Sequence, residues 1–287
     1  MAGAWHDFSP AVRGLMDVAG AHTGIPVPRL LHGSGLALRD TRAYQPTLVA
    51  ICAGALQELE SRIGPATYVA GHSLGELPAL VAAGGIAADD VVPLAAVRAR
   101  LMAREAALHP GGMVALRTDE AGAREAVAIA SAAGAASIAA HNAPDEQVLS
   151  GDLDAMRAVP ARFSPTPLAT DGAWHSVAMA GAVEEFRAAV GRACKGIERA
   201  AWLPNRTGAV ASPDADVATL LAEQLTHPVH WSRTLAALHA LGARTLVTIG
   251  PSKALRALAR RTLGDPVTVI AIEHPRDLLR AEEALAA

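Results

Sequence analysis

The chain has 287 residues, enough for one large domain with a full core or for a large domain and a small one. A formal net charge of −3 gives no reason to expect a nucleic-acid partner, and 51% hydrophobic residues exclude a disordered chain. No apolar run is long enough to span a membrane, and the first residues lack the basic and apolar segments of a secretory signal. Cys52 and Cys194 are far apart and lie in or beside apolar helical stretches, which favours reduced, buried thiols. We therefore expect a cytoplasmic protein without a membrane partner.

The first 111 residues are mostly helical by their pattern. Helices are predicted over residues 8–21, 45–61, 74–83 and 89–108. Ser9-Pro10 is a natural start for the first of them, and Gln45-Pro46 for the second. Asp89 or Asp90 is the predicted cap of the fourth, with Pro93 in its first turn, where proline is tolerated.

Residues 112–170 differ from the rest of the chain. Strands are predicted over residues 113–116, 136–140, 147–150 and 163–168, and helices over residues 120–133 and 153–159. This β-α-β-β-α-β order is the ferredoxin-like pattern. It predicts a small inserted subdomain over residues 112–170.

Larger elements return after residue 171. Helices are predicted over residues 183–195, 215–225, 230–241 and 253–261, followed by a short terminal helix, and strands over residues 245–249 and 267–272. Helices on a mostly parallel sheet define the α/β class. We expect residues 1–111 and 171–287 to form one large α/β catalytic subdomain.

Residues 68–76, Tyr-Val-Ala-Gly-His-Ser-Leu-Gly-Glu, join a predicted strand over residues 67–70 to an apolar helix. This is the strand, sharp turn and helix of a nucleophile elbow, G-x-S-x-G. Gly71 and Gly75 are expected where the turn leaves no room for a Cβ. The pattern predicts Ser73 as a nucleophile and the Leu74 N–H as a donor to an oxyanion.

An activated serine needs a base within hydrogen-bond reach, and the chain has 11 histidines. His72 adjoins the nucleophile but is expected to pack below it. His227 and His230 bracket Pro228, yet two histidines without a third ligand favour ordinary polar positions over a metal site. His175 stands just before a predicted helix, where a lone histidine is more often structural than catalytic. The residues alone leave the base open.

Three stretches together resemble the malonyl-CoA:acyl carrier protein transacylases, discrete relatives of the acyltransferase domains of fatty-acid and polyketide synthases. They are residues 70–76, the ferredoxin-like stretch, and residues 224–231, Gln-Leu-Thr-His-Pro-Val-His-Trp. Residues 250–253 also resemble the family's G-P-x-x stretch, and the resemblance runs from about Gln45 to the C-terminus. It implies an α/β-hydrolase-like large subdomain of the patatin/acyltransferase type. It also implies malonyl-CoA as substrate, an acyl carrier protein as partner, no bound cofactor, and a monomer.

The same resemblance assigns roles to residues. It makes Ser73 the nucleophile and His175 the base, with the backbone carbonyl of Gln224 orienting His175. Arg98 matches the arginine that binds the free carboxylate of the acyl group, which a planar guanidinium can do bidentately. From its own context, Arg98 would be a surface arginine on a helix.

Further residues follow for the cleft. Asn142 matches an asparagine that lines it, and Gln45 is also expected to contact substrate. An aliphatic residue after the serine and a bulky one before the histidine accompany malonyl, and here they are Leu74 and Trp174. Because tryptophan is not the usual residue there, the implied acyl group is malonyl or a malonyl-like unit. The family also opens with a strand and a G-Q-G-x-Q loop whose first Gln donates to the oxyanion, and residues 1–7 do not match it. Either the sequence given begins after that loop, or this member has lost or replaced one donor.

Three alternatives stay open. The first is a serine hydrolase. Patatin-like lipases pair their serine with an aspartate in Asp-Gly-Ala, which residues 171–173 fit through Asp171, although their glycine-rich oxyanion loop is absent. A thioesterase-like editing relative of the transacylases is the other hydrolase, and it is expected to lack the arginine that binds the carboxylate. A non-catalytic module that binds carrier protein is a second reading, and a malonyl transferase of a malonate decarboxylase system is a third. Acyl-enzyme formation separates the non-catalytic module from the enzymes, and acyl transfer against hydrolysis separates the transferases from a hydrolase. The sequence does not distinguish the malonate decarboxylase pathway from the others.

Two surface features complete the predictions. Residues 33–35, Gly-Ser-Gly, lack the third glycine of a dinucleotide loop, which favours a plain loop. Lys253, Arg256 and Arg260 are spaced i, i+3, i+7 and so share one helix face. This face is either a docking surface for an acidic carrier protein or simply solvated.

Overall fold

The computed structural model describes residues 1–32, 40–264 and 267–286. Its helices are α1 (Ala2–Phe8), α2 (Pro10–Thr23), α3 (Val27–His32), α4 (Thr41–Ile63), α5 (Glu76–Ala82), α6 (Ala88–Leu108), α7 (Glu120–Ala130), α8 (Leu153–Arg157), α9 (Val183–Ala193), α10 (Val217–Glu223), α11 (Trp231–Ala240), α12 (Lys253–Leu263) and α13 (Asp277–Ala286). Its strands are β1 (Tyr68–Val69), β2 (Gly111–Leu116), β3 (Ala136–Ala143), β4 (Glu146–Asp152), β5 (Thr166–Pro167), β6 (Ala201–Trp202), β7 (Thr245–Ile249) and β8 (Thr268–Ile272). The loop predicted at residues 33–35 lies outside the described residues.

The strands of this described part form three sheets. β1 pairs with β6, and β7 pairs with β8, each in parallel. The other four strands are antiparallel, in the order β3-β4-β2-β5. Parallel pairs joined through helices place the chain in the α/β class, as predicted.

Two core clusters meet at the turn after β1. The larger cluster contains buried side chains of α2, α4 and α6, and the other joins the antiparallel sheet to α11 and α12. Val69 and Leu74 pack against the larger cluster, whereas Ala70 packs against the other. The segment between β1 and α5 is therefore fixed from two sides.

The antiparallel sheet is tied to the rest of the chain by backbone pairing. His141 N–H donates to the Val229 carbonyl at 2.9 Å, and Val229 N–H donates to the Ala139 carbonyl at 2.9 Å. Arg261 of α12 also forms ion pairs with Asp145 and Glu146 beside β4. These contacts hold residues 112–170 next to the elements that follow β6.

The predicted start of α2 agrees with the structure. Ser9 is its N-cap, with Pro10 at the first helical position. The predicted start of α4 at Gln45-Pro46 is wrong, because Asp40 caps the helix upstream and Pro46 lies inside it. Because proline has no N–H, Pro46 gives no hydrogen bond to the Arg42 carbonyl, and the helix continues past that gap.

The predicted cap of α6 is also wrong. Ala87 is the N-cap and offers no side-chain hydrogen bond. Asp89 and Asp90 lie in the first turn, where their charge still favours the positive end of the helix dipole. Pro93 lies inside the helix beyond that turn.

Three short elements, α1, α3 and β6, were not predicted, because they are too short to show a period in the sequence. Cys52 is buried as expected, while Cys194 is only half-buried, and both are free thiols. Among the residues described, no helix is both long and apolar enough to cross a membrane.

Candidate active site

The turn after β1 holds Ser73 in a strained conformation. Its φ is 51°, in the left-handed region that residues with a side chain rarely adopt. A Cβ on Gly71 would lie 2.0 Å from the carbonyl carbon of Gly75, so only glycine fits at position 71. A Cβ on Gly75 would meet no atom within 4 Å, so the expectation that this glycine is needed for space is wrong.

His175 and the backbone of Gln224 lie in line with the Ser73 hydroxyl. Ser73 Oγ donates to His175 Nε2 at 2.7 Å, and His175 Nδ1 donates to the Gln224 carbonyl oxygen at 2.7 Å. Because a carbonyl only accepts, Nδ1 carries the proton and Nε2 is available to take one. Burial, reinforced by the charge of Arg98, lowers the pKa of His175 to about 3, which keeps the ring neutral.

Arg98 lies midway along α6 and is 2% exposed despite its charge. Its Nη1 donates to Gln45 Oε1 at 2.8 Å, and its Nη2 donates to Gln224 Oε1 at 2.8 Å and to Ser73 Oγ at 3.2 Å. Burial lowers the pKa of Arg98 to about 10, while Glu76 opposes the shift, so the guanidinium stays charged at neutral pH. The surface position expected from its context alone is wrong: the cation lies beside the serine.

A buried network supports the backbone of Ser73, and the sequence did not point to it. Asn205 Oδ1 accepts from the Ser73 N–H at 2.6 Å, and Asn205 Nδ2 donates to the Gly71 carbonyl at 2.5 Å. Gln224 Nε2 donates to the Ser73 carbonyl at 3.0 Å. Glu76, fully buried, accepts from the Asn205 N–H at 2.8 Å and from Gln224 Nε2. Burial raises the pKa of Glu76 to about 8, although these donors oppose it.

Only one of these positions gave a signal in the sequence. Glu76 is a charged residue that opens an otherwise apolar helix, which is unusual enough to mark it. Asn205 follows β6, whose two residues were not predicted, so nothing placed it near the elbow. The pairing of β1 with β6 brings it there, since Leu203 N–H donates to the Val69 carbonyl at 2.9 Å.

The remaining predicted residues border the site without bonding to the Ser73 hydroxyl. Asn142 Oδ1 accepts from Nε2 of His72 at 2.8 Å, and His72 is the residue that precedes the nucleophile. The Trp174 ring packs over Gly172, where an added Cβ would lie 2.7 Å from it. Leu74 packs its side chain on the larger core cluster, and its N–H belongs to the first turn after β1.

The rival candidates lie elsewhere. Asp171 is exposed, whereas the Ser73 hydroxyl bonds to an imidazole and a guanidinium. His227 Nδ1 contacts the carbonyl of its own helix turn at 2.9 Å, and His230 stacks on His141 with ring centroids 5.1 Å apart. In residues 1–32, 40–264 and 267–286, no group of three His, Cys, Asp or Glu side chains is placed to hold a metal ion.

This geometry fits one class of chemistry. A neutral imidazole that accepts from a serine hydroxyl makes the oxygen a nucleophile, and an adjacent N–H at a helix start can bind an oxyanion. A buried cation 3.2 Å from the same oxygen favours an acyl group that carries a negative charge. The fold and the site together have the features expected of an enzyme that works through an acyl-serine intermediate.

Comparison with known proteins gives the family. The Acyl transferase domain family matches residues 8–278, so the chain belongs to it. The malonyl CoA-acyl carrier protein transacylase of Mycobacterium bovis is 34% identical over 252 residues, which cover 84% of this chain and 81% of that protein. The protein of the same description from Mycolicibacterium smegmatis is 35% identical over 253 residues, covering 84% of this chain and 85% of the relative.

Solved structures agree with these relatives. MCAT from Mycobacterium tuberculosis superposes with a TM-score of 0.88 at 32% identity, covering 99% of this chain and 94% of that one. The acyl-carrier-protein S-malonyltransferase of Burkholderia pseudomallei gives a TM-score of 0.89 at 28% identity, covering 99% and 94%. The α/β fold is therefore shared over nearly the whole chain.

Proposed function

We propose that this protein transfers a malonyl group from CoA to the phosphopantetheine thiol of an acyl carrier protein through an acyl-Ser73 intermediate. The observation that carries the proposal is the buried guanidinium of Arg98, 3.2 Å from Ser73 Oγ. A permanent cation at this place suits an acyl group whose far end is a carboxylate. The relatives described above, which carry the name malonyl CoA-acyl carrier protein transacylase, support the same acyl group.

The first half of the reaction forms the acyl-enzyme. Ser73 Oγ attacks the thioester carbonyl of malonyl-CoA while His175 Nε2 takes the hydroxyl proton. The carbonyl of Gln224 holds Nδ1–H, which fixes the tautomer and stabilises the imidazolium that forms. The Leu74 N–H donates to the oxyanion, and a second oxyanion donor stays a prediction. The imidazolium then protonates the departing CoA thiolate, leaving malonyl-Ser73.

The second half repeats these steps with another thiol. His175 takes the proton of the phosphopantetheine thiol, whose sulfur attacks the malonyl-Ser73 ester. Collapse of the tetrahedral intermediate returns the proton to Ser73 Oγ and releases the malonyl thioester of the carrier. Throughout, Arg98 pairs with the malonyl carboxylate, held in place by Gln45 Oε1. Leu74 and Trp174 narrow the space beside the malonyl Cα, and Asn142 lines the cleft.

We also infer two subdomains around this site. Residues 1–111 and 171–287 form the larger one, and residues 112–170 form a ferredoxin-like one. The element order β2-α7-β3-β4-α8-β5 and the sheet order β3-β4-β2-β5 support this division. The base lies just after the return from the small subdomain, which places the cleft between the two.

The carrier protein is proposed to dock on the face of α12 formed by Lys253, Arg256 and Arg260. Lys253 and Arg260 are exposed, and no ion pair is recorded for any of the three within the described residues. Arg261, on the same helix, is instead committed to Asp145 and Glu146. The unpaired cations fit an acidic partner.

The intact mass of the protein after incubation with malonyl-CoA tests the proposed function. The wild type should gain one malonyl group and lose it to added carrier protein, whereas Ser73→Ala should gain none. Asp171→Asn is the matched control for the patatin-like alternative and should label normally, while His175→Ala should not. Labelling of Ser73→Ala would contradict the nucleophile, and loss to water at the rate of loss to carrier would indicate a hydrolase.

A further inference from the structure

We propose that Asn205, Gln224 and Glu76 form an elbow clamp, a set of buried side chains that positions the Ser73 nucleophile without touching substrate. The proposal rests on the proposed role of Ser73 and adds positioning residues to it. Two observations support it. Asn205 and Gln224 form hydrogen bonds with the two peptide groups of Ser73, and both residues also donate to the same side chain, Glu76.

The conformation of Ser73 needs support from outside the turn. A residue with a side chain is strained in the left-handed region, where Ser73 has a φ of 51°. Its N–H cannot be held by a regular helix bond, because the chain has just left β1. Such strain persists only where the surroundings determine the backbone.

Two side-chain amides hold the two sides of Ser73. Asn205 bridges the turn, since its Oδ1 accepts from the Ser73 N–H at 2.6 Å and its Nδ2 donates to the Gly71 carbonyl at 2.5 Å. Gln224 Nε2 donates to the Ser73 carbonyl at 3.0 Å. Both peptide groups of the nucleophile are therefore fixed by residues distant in sequence.

One carboxyl group, that of Glu76, anchors both amides. Glu76 Oε1 accepts from the Asn205 N–H at 2.8 Å, and Glu76 Oε2 accepts from Gln224 Nε2. Asn205, Gln224 and Glu76 are all fully buried, so no water competes for these bonds. Since Gln224 also orients His175 through its carbonyl, the clamp fixes the nucleophile and the base relative to each other.

The rate at which Ser73 reacts with phenylmethylsulfonyl fluoride tests the clamp. In this reaction Ser73 Oγ bonds to sulfur, fluoride leaves, and His175 takes the hydroxyl proton, so neither CoA nor carrier protein is needed. Asn205→Ala should lower this rate and kcat for malonyl transfer about 10²-fold, the scale of an ångström-sized misplacement. KM for malonyl-CoA should change less than about threefold, because Asn205→Ala leaves the hydrogen bond between Arg98 and Gln45 in place.

Glu76→Gln is the nearly isosteric second variant. Its new amide N–H₂ would face a donor, so one anchor bond is lost and both rates should fall about tenfold. Glu105→Gln is the matched control, since Glu105 is also a buried glutamate but pairs with Arg104, away from the turn. It should change the melting temperature alone.

The outcomes distinguish the two proposals. If wild-type Ser73 is neither sulfonylated nor malonylated, the proposed function fails. If the wild type reacts but folded Asn205→Ala and Glu76→Gln react equally fast, the clamp is overturned. If Asn205→Ala does not fold, Glu76→Gln alone tests the clamp. A folded Glu76→Gln protein that is sulfonylated at the wild-type rate would refute the role of Glu76 as the shared anchor.

Discussion

At the scale of single residues, Arg98 shows how burial turns a common side chain into a selective one. A guanidinium that is 2% exposed has lost its hydration and depends on Gln45, Gln224 and Ser73 Oγ for acceptors. Those acceptors are neutral, so an incoming carboxylate is the stronger partner. Arg98 is therefore better suited to bind an anionic ligand than to stabilise the fold through its present neutral partners.

Replacing Arg98 by alanine should therefore separate malonyl from acetyl transfer. A malonyl carboxylate desolvated without a partner costs several kcal/mol, so kcat/KM for malonyl-CoA should fall by about 10²-fold or more. Acetyl-CoA has no carboxylate and should be spared. Arg100→Ala, an exposed arginine of the same helix, is the control and should leave both rates unchanged. Equal losses for the two substrates would mean that Arg98 holds the fold.

The low pKa of His175 predicts a broad pH range for the reaction of Ser73. Because that pKa is about 3, against an ordinary 6.5, the sulfonylation rate should stay flat as pH falls from 7 to about 5. Below 6.5 the unfolded chain binds a proton that the folded site does not, so the same group destabilises the fold as pH falls. Melting temperatures should accompany each rate for that reason.

A second variant checks the cause of this shift. Arg98→Ala removes one cause of the low pKa of His175, the cation near the ring, and should move the acidic limb of the rate profile to higher pH. A limb already near pH 6.5 in the wild type would contradict the buried, neutral imidazole.

How far single residues were predictable depends on what their neighbours in sequence reveal. Ser73 is visible because the turn dictates glycine at position 71. His175 and Arg98 carry no local sign of their role and were placed only by resemblance to a family. Asn205 stayed hidden because the pairing of β1 with β6, which the sequence does not show, brings it to the turn. The side chain of Gln224 stayed hidden because its partners Ser73 and Glu76 are 151 and 148 residues away in sequence.

At the scale of elements, the elbow is a strand, a turn and a helix that store strain at one residue. Ser73→Gly and Ser73→Ala both delete the hydroxyl and differ only by a Cβ at φ 51°. Glycine normally lowers stability, because it loses more backbone entropy on folding than alanine does. Here the Ser73→Gly variant should be more stable than Ser73→Ala by about 1 kcal/mol, because the cost of about 1–2 kcal/mol for alanine in the left-handed region exceeds that entropy cost. Denaturant unfolding of the two variants measures the difference.

Ser164 offers a matched pair for this measurement. It is exposed, has a φ of 49°, and lies outside the site. The free energy of unfolding of Ser164→Gly should likewise exceed that of Ser164→Ala by about 1 kcal/mol, and both variants should keep full activity. An alanine at position 73 that equals glycine in stability would mean that the elbow holds no backbone strain.

Helix existence was predictable where helix ends were not. The long apolar stretches of α4 and α6 predict helices and not strands, because a run of about 20 residues is too long for a strand. Their starts depend on single caps: Asp40 precedes the expected start of α4, and Ala87 caps α6 without a side chain. The start of α4 therefore follows a local cap upstream of the predicted one, whereas the start of α6 has no side-chain cap to mark it in the sequence.

At the scale of the molecule, the division of the chain into two subdomains stays a prediction from the order of strands and helices, whereas contacts between distant segments were not predictable. The Ala140–Val229 bridge and the ion pairs of Arg261 join residues far apart in sequence. No period or motif encodes such pairs. They nonetheless decide which face of α12 is occupied and which is left open to a partner.

The open face of α12 makes the last prediction. Reversing Lys253 and Arg260 to glutamate should raise KM for the carrier protein about tenfold, since rim charges act mainly on association, and the effect should fade at high salt. Self-acylation by malonyl-CoA should not change, because neither residue contacts the buried groups around Ser73. Arg256 is left intact, since it is half-buried and its loss would disturb packing. Arg192→Glu with Lys195→Glu reverses an exposed arginine and lysine at the end of α9 and serves as the matched control. A KM for carrier protein that is equal in both double variants would remove this face from the interface.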